Sequence, residues 1–177
     1  MTPIPLFKME SRLPKIVGTL RYHETTIFED ARMGVQFRYV SPNGTKADIY
    51  LYDLGIKDIP NDITSPRVAE FYQAACGDVM AIAERGVLLD LEVKASQYLH
   101  LPDDAPLPMY LWAAFYYRQA PGPQTDYEGM RYSHLALRTD GGYINKVRYT
   151  YPDTLSEGAL QDLMIFLYDW HNQVQQA

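Results

Sequence analysis

The stretch that decides the fold is "YVSPNGTKADIYLYDLG", residues 39–55. On both sides of Pro42-Asn43-Gly44, side chains alternate in the period of two that is typical of a β-strand with different environments on its two faces. An Asn-Gly pair tolerates the positive φ angles of a two-residue hairpin turn. The stretch therefore predicts an antiparallel hairpin over residues 34–53.

Strand composition also occurs in five further segments: residues 16–22, 87–99, 109–119, 131–139 and 142–151. Between the last two, Asp140-Gly141-Gly142 predicts a second hairpin.

Two segments have helical patterns. Ser65 is a good N-cap before Pro66, and apolar residues at helical spacing predict a helix over 66–84 that ends at Gly86. Thr154 and Glu157 have the spacing of a capping box ahead of a C-terminal helix. The apolar face of that helix is predicted to contain Leu160, Leu163, Met164, Leu167, Trp170 and Val174.

The predicted element order is βββ-α-ββββ-α, and its short connections join antiparallel neighbours. This order indicates an α+β fold, an antiparallel sheet on which two helices pack. A chain of 177 residues is long enough for one domain with a full core, so we expect a single domain over residues 1–177.

Composition narrows the class of protein. With 47% hydrophobic and 21% charged residues the chain is that of a folded globular protein, and its net charge of −6 argues against nucleic-acid binding, which needs a basic footprint. No segment approaches the roughly 18 to 20 apolar residues of a membrane helix, so no membrane span is predicted. The first fifteen residues lack the apolar core of a secretory signal, which predicts either a cytosolic chain or a mature form whose leader has been removed.

The sequence contains no complete catalytic motif. His23-Glu24 lacks the second histidine of a zinc-protease motif, and the other histidines lie in different predicted elements. Cys76 is the single cysteine, in a helical pattern where a thiol is usually a small buried group. Nucleotide-binding loops and nucleophile elbows are absent from the sequence. We therefore expect a non-catalytic protein with no cofactor and no metal.

The 15 tyrosines are typical of strands and also of binding surfaces. Sorting each strand by alternation gives an aliphatic set, predicted to be the core face beneath both helices: Val35, Phe37, Tyr39, Ile49, Leu51, Leu111, Ala113, Phe115, Leu135, Leu137, Val147 and Tyr149. The opposite set is aromatic and basic, and Asp48 is its one carboxylate: Gln36, Arg38, Tyr50, Tyr52, Tyr110, Trp112, Tyr116, Arg118, His134, Arg138, Lys146 and Arg148.

Aromatic rings with guanidinium groups can stack a planar group and pair with an anion. Seven residues of the opposite set are the candidate binding site: Arg38, Tyr50, Tyr52, Trp112, Tyr116, Arg118 and Arg148. The alternative is that a helix or loop covers this face, so that the rings are ordinary core and the arginines extend outward to solvent.

A family resemblance accompanies these patterns. "LPKIVGTLRY", "FEDARMGVQFRYVSPNGTKADIYLYDLG" and "GGYINKVRYTYP" before a last helix resemble bacterial proteins of the PsbP-like superfamily. The resemblance implies an α/β/α sandwich around an antiparallel sheet. It also implies a binding role and often export, because members include an extrinsic photosystem subunit, a nuclear-import factor that binds a GTPase, and bacterial lipoproteins or chaperones. The superfamily has no shared site pattern, so the resemblance assigns no functional residue.

Two functional hypotheses lead, ahead of a third, a structural or assembly protein that pairs through an exposed strand edge. The first is a non-catalytic module that holds a partner protein through the aromatic and basic face, or through the loops 54–65 and 119–130. The alternative is a small-molecule or anion binder with a pocket on the same face.

Overall fold

The computed structural model describes residues 13–102, 105–123 and 127–175, and it describes residues 174 and 175 by their backbone alone. Residues 1–12 of the stretch examined for a secretory signal, part of the loop 119–130 and the Val174 side chain lie outside this description.

The described residues form one antiparallel sheet of eight strands and two α-helices. The strands are β1 Ile16–Val17, β2 Leu20–Ile27, β3 Val35–Val40, β4 Lys46–Tyr52, β5 Leu88–Leu99, β6 Tyr110–Gln119, β7 Met130–Asp140 and β8 Tyr143–Pro152. The helices are α1 Pro66–Glu84 and α2 Ser156–Gln175. The sheet order is β1-β2-β3-β4-β8-β7-β6-β5. The predicted α+β class is confirmed.

Both predicted hairpins are present. In the first, the backbone N–H of Ser41 donates to the carbonyl of Thr45 at 2.9 Å, and Gly44 has φ +89°. The loop is therefore three residues long, and the predicted two-residue turn is wrong. In the second, Asp140 pairs with Tyr143 across two glycines with φ +56° and +85°, the two-residue turn with positive φ at both central positions.

The predicted strand 16–22 is two strands. Val17 pairs with Leu20, and Gly18 between them has φ +56°. Glycine at the first central position suits a tight hairpin, so the chain reverses here and β2 then continues to Ile27.

Helix α1 has the predicted bounds, and the Ser65 hydroxyl accepts from the backbone N–H of Arg67 as an N-cap does. The capping box predicted for α2 is wrong, because Glu157 and Gly158 have non-helical backbone angles and the regular helix follows them. Leu163, Leu167 and Trp170 are fully buried as predicted, whereas Leu160 is 45% exposed.

The two helices cover opposite faces of the sheet. Helix α1 packs in one core with Leu111, Phe115 and Leu135, and α2 packs in another with Phe37, Ile49, Val147 and Tyr149. The expectation that both helices cover one aliphatic face is wrong. The arrangement is an α/β/α sandwich, with an α1 face and an α2 face.

Candidate functional site

The seven candidate residues do not share a face. Arg148 pairs with Leu135 of β7, which lies in the α1 core, whereas Trp112 pairs with Ala136 in the α2 core. Arg38, Tyr50, Tyr52 and Arg148 therefore lie on the α1 face, and Trp112, Tyr116 and Arg118 lie on the α2 face. The prediction of one common surface is wrong.

The prediction failed because it placed the wrong alternate residues of β6 and β7 on the same sheet face as the selected residues of β3, β4 and β8. In β6, Leu111 and Phe115 are buried under α1, and the intervening Trp112 and Ala114 are buried on the α2 face. Because both faces of this strand are apolar, alternation alone cannot align it with strands that have one polar face.

A basic and aromatic strip remains on the α1 face. We call it the α1 strip, and it consists of Gln36, Arg38, Asp48, Tyr50, Lys146 and Arg148. The register places these residues in two rows across β3, β4 and β8. Arg38, Asp48 and Arg148 form one row, and Gln36, Tyr50 and Lys146 form the next.

On the β3 side of the α1 strip, the charged side chains are paired with one another. The buried carboxylate of Asp48 accepts from Arg38 Nε at 2.6 Å and from Gln36 Nε2 at 2.8 Å. Arg38 also donates through Nη1 to Glu24 at 3.0 Å. The hydrogen bond to Asp48 is the main reason that the pKa of Arg38 is raised. Arg38 is therefore a structural cation with two carboxylate partners.

The β8 side is different. Lys146 Nζ lies 4.6 Å from the ring centre of Tyr50 and 5.5 Å from that of Tyr52. Arg148 donates through Nη2 to the hydroxyl of Ser133 at 2.8 Å, and its Nε is buried with no hydrogen-bond partner. Within the described part of the chain, neither cation has a carboxylate at ion-pair distance.

Burial changes the acidity of these groups. It lowers the pKa of Lys146, and the charge of Arg148 lowers it further, while Asp78 acts in the opposite direction. Burial raises the pKa of Tyr50 to about 12. The strip therefore carries positive charge beside neutral phenol rings, and this combination suits an anion with a planar or apolar neighbour.

Lys146 belongs to this site although it is not one of the seven candidates. It lies two residues from Arg148 on the same strand face, so alternation already places the two cations together. Cys76 faces the same region, and burial raises the pKa of its half-buried thiol, which is unlike an activated nucleophile.

The three residues on the α2 face have other roles. Trp112 is buried and stacks on His134, with ring centres 5.6 Å apart and planes at 4°. Tyr116 donates to a carboxylate oxygen of Asp153 at 3.3 Å. Arg118 forms an exposed ion pair with Asp90 at 3.0 Å. For Trp112 the structure agrees with the packing alternative.

A cavity of about 530 Å³ lies away from the α1 strip. It is lined by residues 61–64, residues 107–109, Arg138 and Thr139, and none of the seven candidates contributes to it. Among the residues that the structure describes, no cluster of three or more His, Cys, Asp or Glu side chains could hold a metal ion. No helix in the described ranges is both long enough and apolar enough to cross a membrane.

The chain is an α+β sandwich protein with one helix on each face of an antiparallel sheet. No protein-family model matches it, and no curated protein matches it significantly. Among solved structures it is similar to the solution structure of cyanobacterial PsbP (CyanoP) from Synechocystis sp. PCC 6803, at 11% identity and a TM-score of 0.48. The match covers 87% of this chain and 92% of that one, and the likeness concerns the fold alone.

Proposed function

We propose that this protein is a non-catalytic binding module that holds an acidic segment of a partner protein on the α1 strip. The observation that carries the proposal is the pair of half-buried cations, Lys146 and Arg148, without a carboxylate partner in the described ranges. The surrounding chain has a net charge of −6, so this pair contrasts with the protein's average surface.

The hydration that Lys146 and Arg148 lose by partial burial favours binding of an external anion. A partly buried cation loses hydration, and the loss is offset when an anion forms charge-assisted hydrogen bonds with it. A hydrogen bond to a charged group stabilises by about 1.5–3 kcal/mol. Lys146 has three donors and Arg148 has five, of which one is directed to Ser133. The pair can therefore accept a carboxylate without breaking the Arg38–Asp48 ion pair.

The shape of the strip supports a protein partner. Its two rows cross three adjacent strands, and neighbouring strands are about 4.8 Å apart, so the strip is about 10 Å wide. An extended acidic segment can cross these strands and contact both the cations and the ring of Tyr50. The cavity that the structure describes lies elsewhere, at residues 61–64 and 107–109 and at the end of β7.

A short polyglutamate peptide tests this proposal. We expect it to shift the backbone amide signals of β4 and β8, with an affinity that falls as salt is added because exposed charges are screened. Lys146→Gln and Arg148→Gln should each weaken binding about tenfold, the loss of one charge-assisted contact. Arg118→Gln is the matched control on the other face, and it should bind like the wild type.

Equal binding by Lys146→Gln and the wild type would overturn the site. Inorganic phosphate is the second probe. If phosphate bound the strip as tightly as the peptide, the partner-protein part of the proposal would be wrong and a small-anion site would replace it. Amide spectra of each variant, compared with the wild type, show that the fold is retained.

A further inference from the structure

The outward side of α2 carries apolar side chains that stay exposed. Leu160, Ile165 and Tyr168 are 45%, 44% and 46% exposed, and Met164 is partly buried. Because an α-helix has 3.6 residues per turn, their spacing places all four on one side of the helix. We call these four residues the α2 ridge. A continuous apolar patch of this kind marks an interaction site more often than single exposed apolar residues do.

The α2 ridge has the form that helices use when they pack against one another. Leu160, Met164 and Tyr168 form a row with a spacing of four residues. Ile165 lies in the row beside it, next to Asp169. Rows with this spacing pack into the grooves between the rows of a second helix. From Leu160 to Tyr168 the helix rises about 12 Å, which is about two turns. The α2 ridge is therefore long enough to contact two turns of a partner helix.

The charged side chains of α2 are all acidic. The helix contains Glu157, Asp162 and Asp169, and it contains no lysine or arginine. Asp162 and Asp169 are seven residues apart, so both lie on the flank of the helix beside Ile165. Within the described ranges, neither carboxylate takes part in an ion pair. An apolar stripe flanked by these carboxylates is complementary to an apolar stripe flanked by cations.

This charge pattern selects the occupant. A second copy of the chain would bring two acidic helices together, and like charges oppose that pairing. We infer that the α2 ridge docks an amphipathic helix of a partner protein. Its apolar residues contact Leu160, Ile165 and Tyr168, and its Lys or Arg side chains pair with Asp162 and Asp169. The site is separate from the α1 strip, because α2 covers the opposite face of the sheet.

A synthetic helical peptide of Leu, Ala and Lys tests this inference. It carries leucines three and four residues apart with lysines on both flanks, and its counterpart has Glu in place of every Lys. In amide NMR titrations of the full chain, the Lys peptide should shift the signals of residues 159–173 saturably. The Glu peptide should bind there about tenfold more weakly or worse, because its carboxylates would face Asp162 and Asp169.

Variants of exposed residues locate the contact. Ile165→Ser should weaken binding of the Lys peptide about tenfold, and it should fold normally because Ile165 is 44% exposed. Met80→Ser is the matched control, since Met80 is a 43% exposed residue of α1, and it should bind like the wild type. Asp162→Lys combined with Asp169→Lys should reverse the preference, so that the Glu peptide binds α2 more tightly than the Lys peptide. Amide spectra of each variant show that the fold is retained.

Several results would overturn the inference. Equal affinity of α2 for the two peptides would do so, and so would Lys-peptide binding by Ile165→Ser as tight as that of the wild type. Light scattering that showed a wild-type dimer and an Ile165→Ser monomer would assign the α2 ridge to a second copy instead. Sedimentation with phosphatidylcholine vesicles that Ile165→Ser abolished would assign it to a lipid surface. Lys146→Gln should leave Lys-peptide binding unchanged, so failure here leaves the α1 strip unaffected.

Discussion

His134 should make the stability of this protein depend on pH. Its ring is 3% exposed between Trp112 and Tyr151, and Nε2 lies 3.0 Å from the Tyr151 hydroxyl. Burial lowers the pKa of His134 to about 4, and the charge of Arg148 contributes in the same direction. The folded protein therefore holds a neutral imidazole at neutral pH.

The magnitude follows from proton linkage. In the unfolded chain this histidine has a pKa of about 6.5, so between about pH 6.5 and pH 4 the unfolded state binds a proton that the folded state does not. Stability therefore falls as pH falls through this window. Each pH unit costs about 1.4 kcal/mol, which amounts to about 2 kcal/mol at pH 5 and about 3 kcal/mol once the folded pKa is passed.

Urea unfolding, followed by tryptophan fluorescence, measures this contribution. His134→Gln cannot charge but can still bond the Tyr151 hydroxyl. The wild type should lose about 2 kcal/mol more than this variant between about pH 7 and pH 5. His171 is present in both proteins, so its titration cancels in the comparison. Parallel stability profiles for the two proteins would refute the reasoning.

Three further substitutions test the packing by the same unfolding measurement. Gly34→Ala should destabilise by about 2 kcal/mol or more, because Gly34 has φ +64° and an added Cβ would lie 1.9 Å from the Leu51 carbonyl oxygen; an unchanged midpoint would contradict this. Leu163→Ala should cost about 2–5 kcal/mol and its control Leu160→Ala less than about 0.5 kcal/mol, since Leu163 is fully buried and Leu160 is 45% exposed; equal losses would argue against the burial of α2. Ser65→Ala should cost about 1 kcal/mol through loss of the N-cap of α1, and no loss would show that the cap is replaced by water.

Turn and cap chemistry made several elements predictable from neighbouring residues alone. Two glycines with positive φ form the second hairpin, and Ser65-Pro66 begins α1 where the sequence predicts. The sequence did not predict the chain reversal at Gly18, because a glycine within a strand pattern can equally indicate a bulge in one continuous strand. The break at Gly158 was missed because the capping-box spacing pointed to a continuous helix.

The candidate site was only half predictable. Alternation places Tyr50 with Tyr52, and Lys146 with Arg148, because each pair lies within one strand. Trp112 was assigned to the same side wrongly. Both faces of its strand are apolar, so alternation cannot show which face it shares with the other strands. The cavity at Arg138 has no local sequence signal, since its walls come from segments that are distant along the chain.

The sequence by itself therefore determined the α+β class, the two hairpins, the bounds of α1 and the side-chain sorting within each strand. Tertiary structure alone decided which helix covers which face, how the strands align in phase, and which cations lack a carboxylate partner. The physical reason is the separation along the chain of the residues that decide each feature. Turns and caps depend on hydrogen bonds between residues a few positions apart, whereas phase and charge pairing depend on which distant strands become neighbours and on what is buried between them.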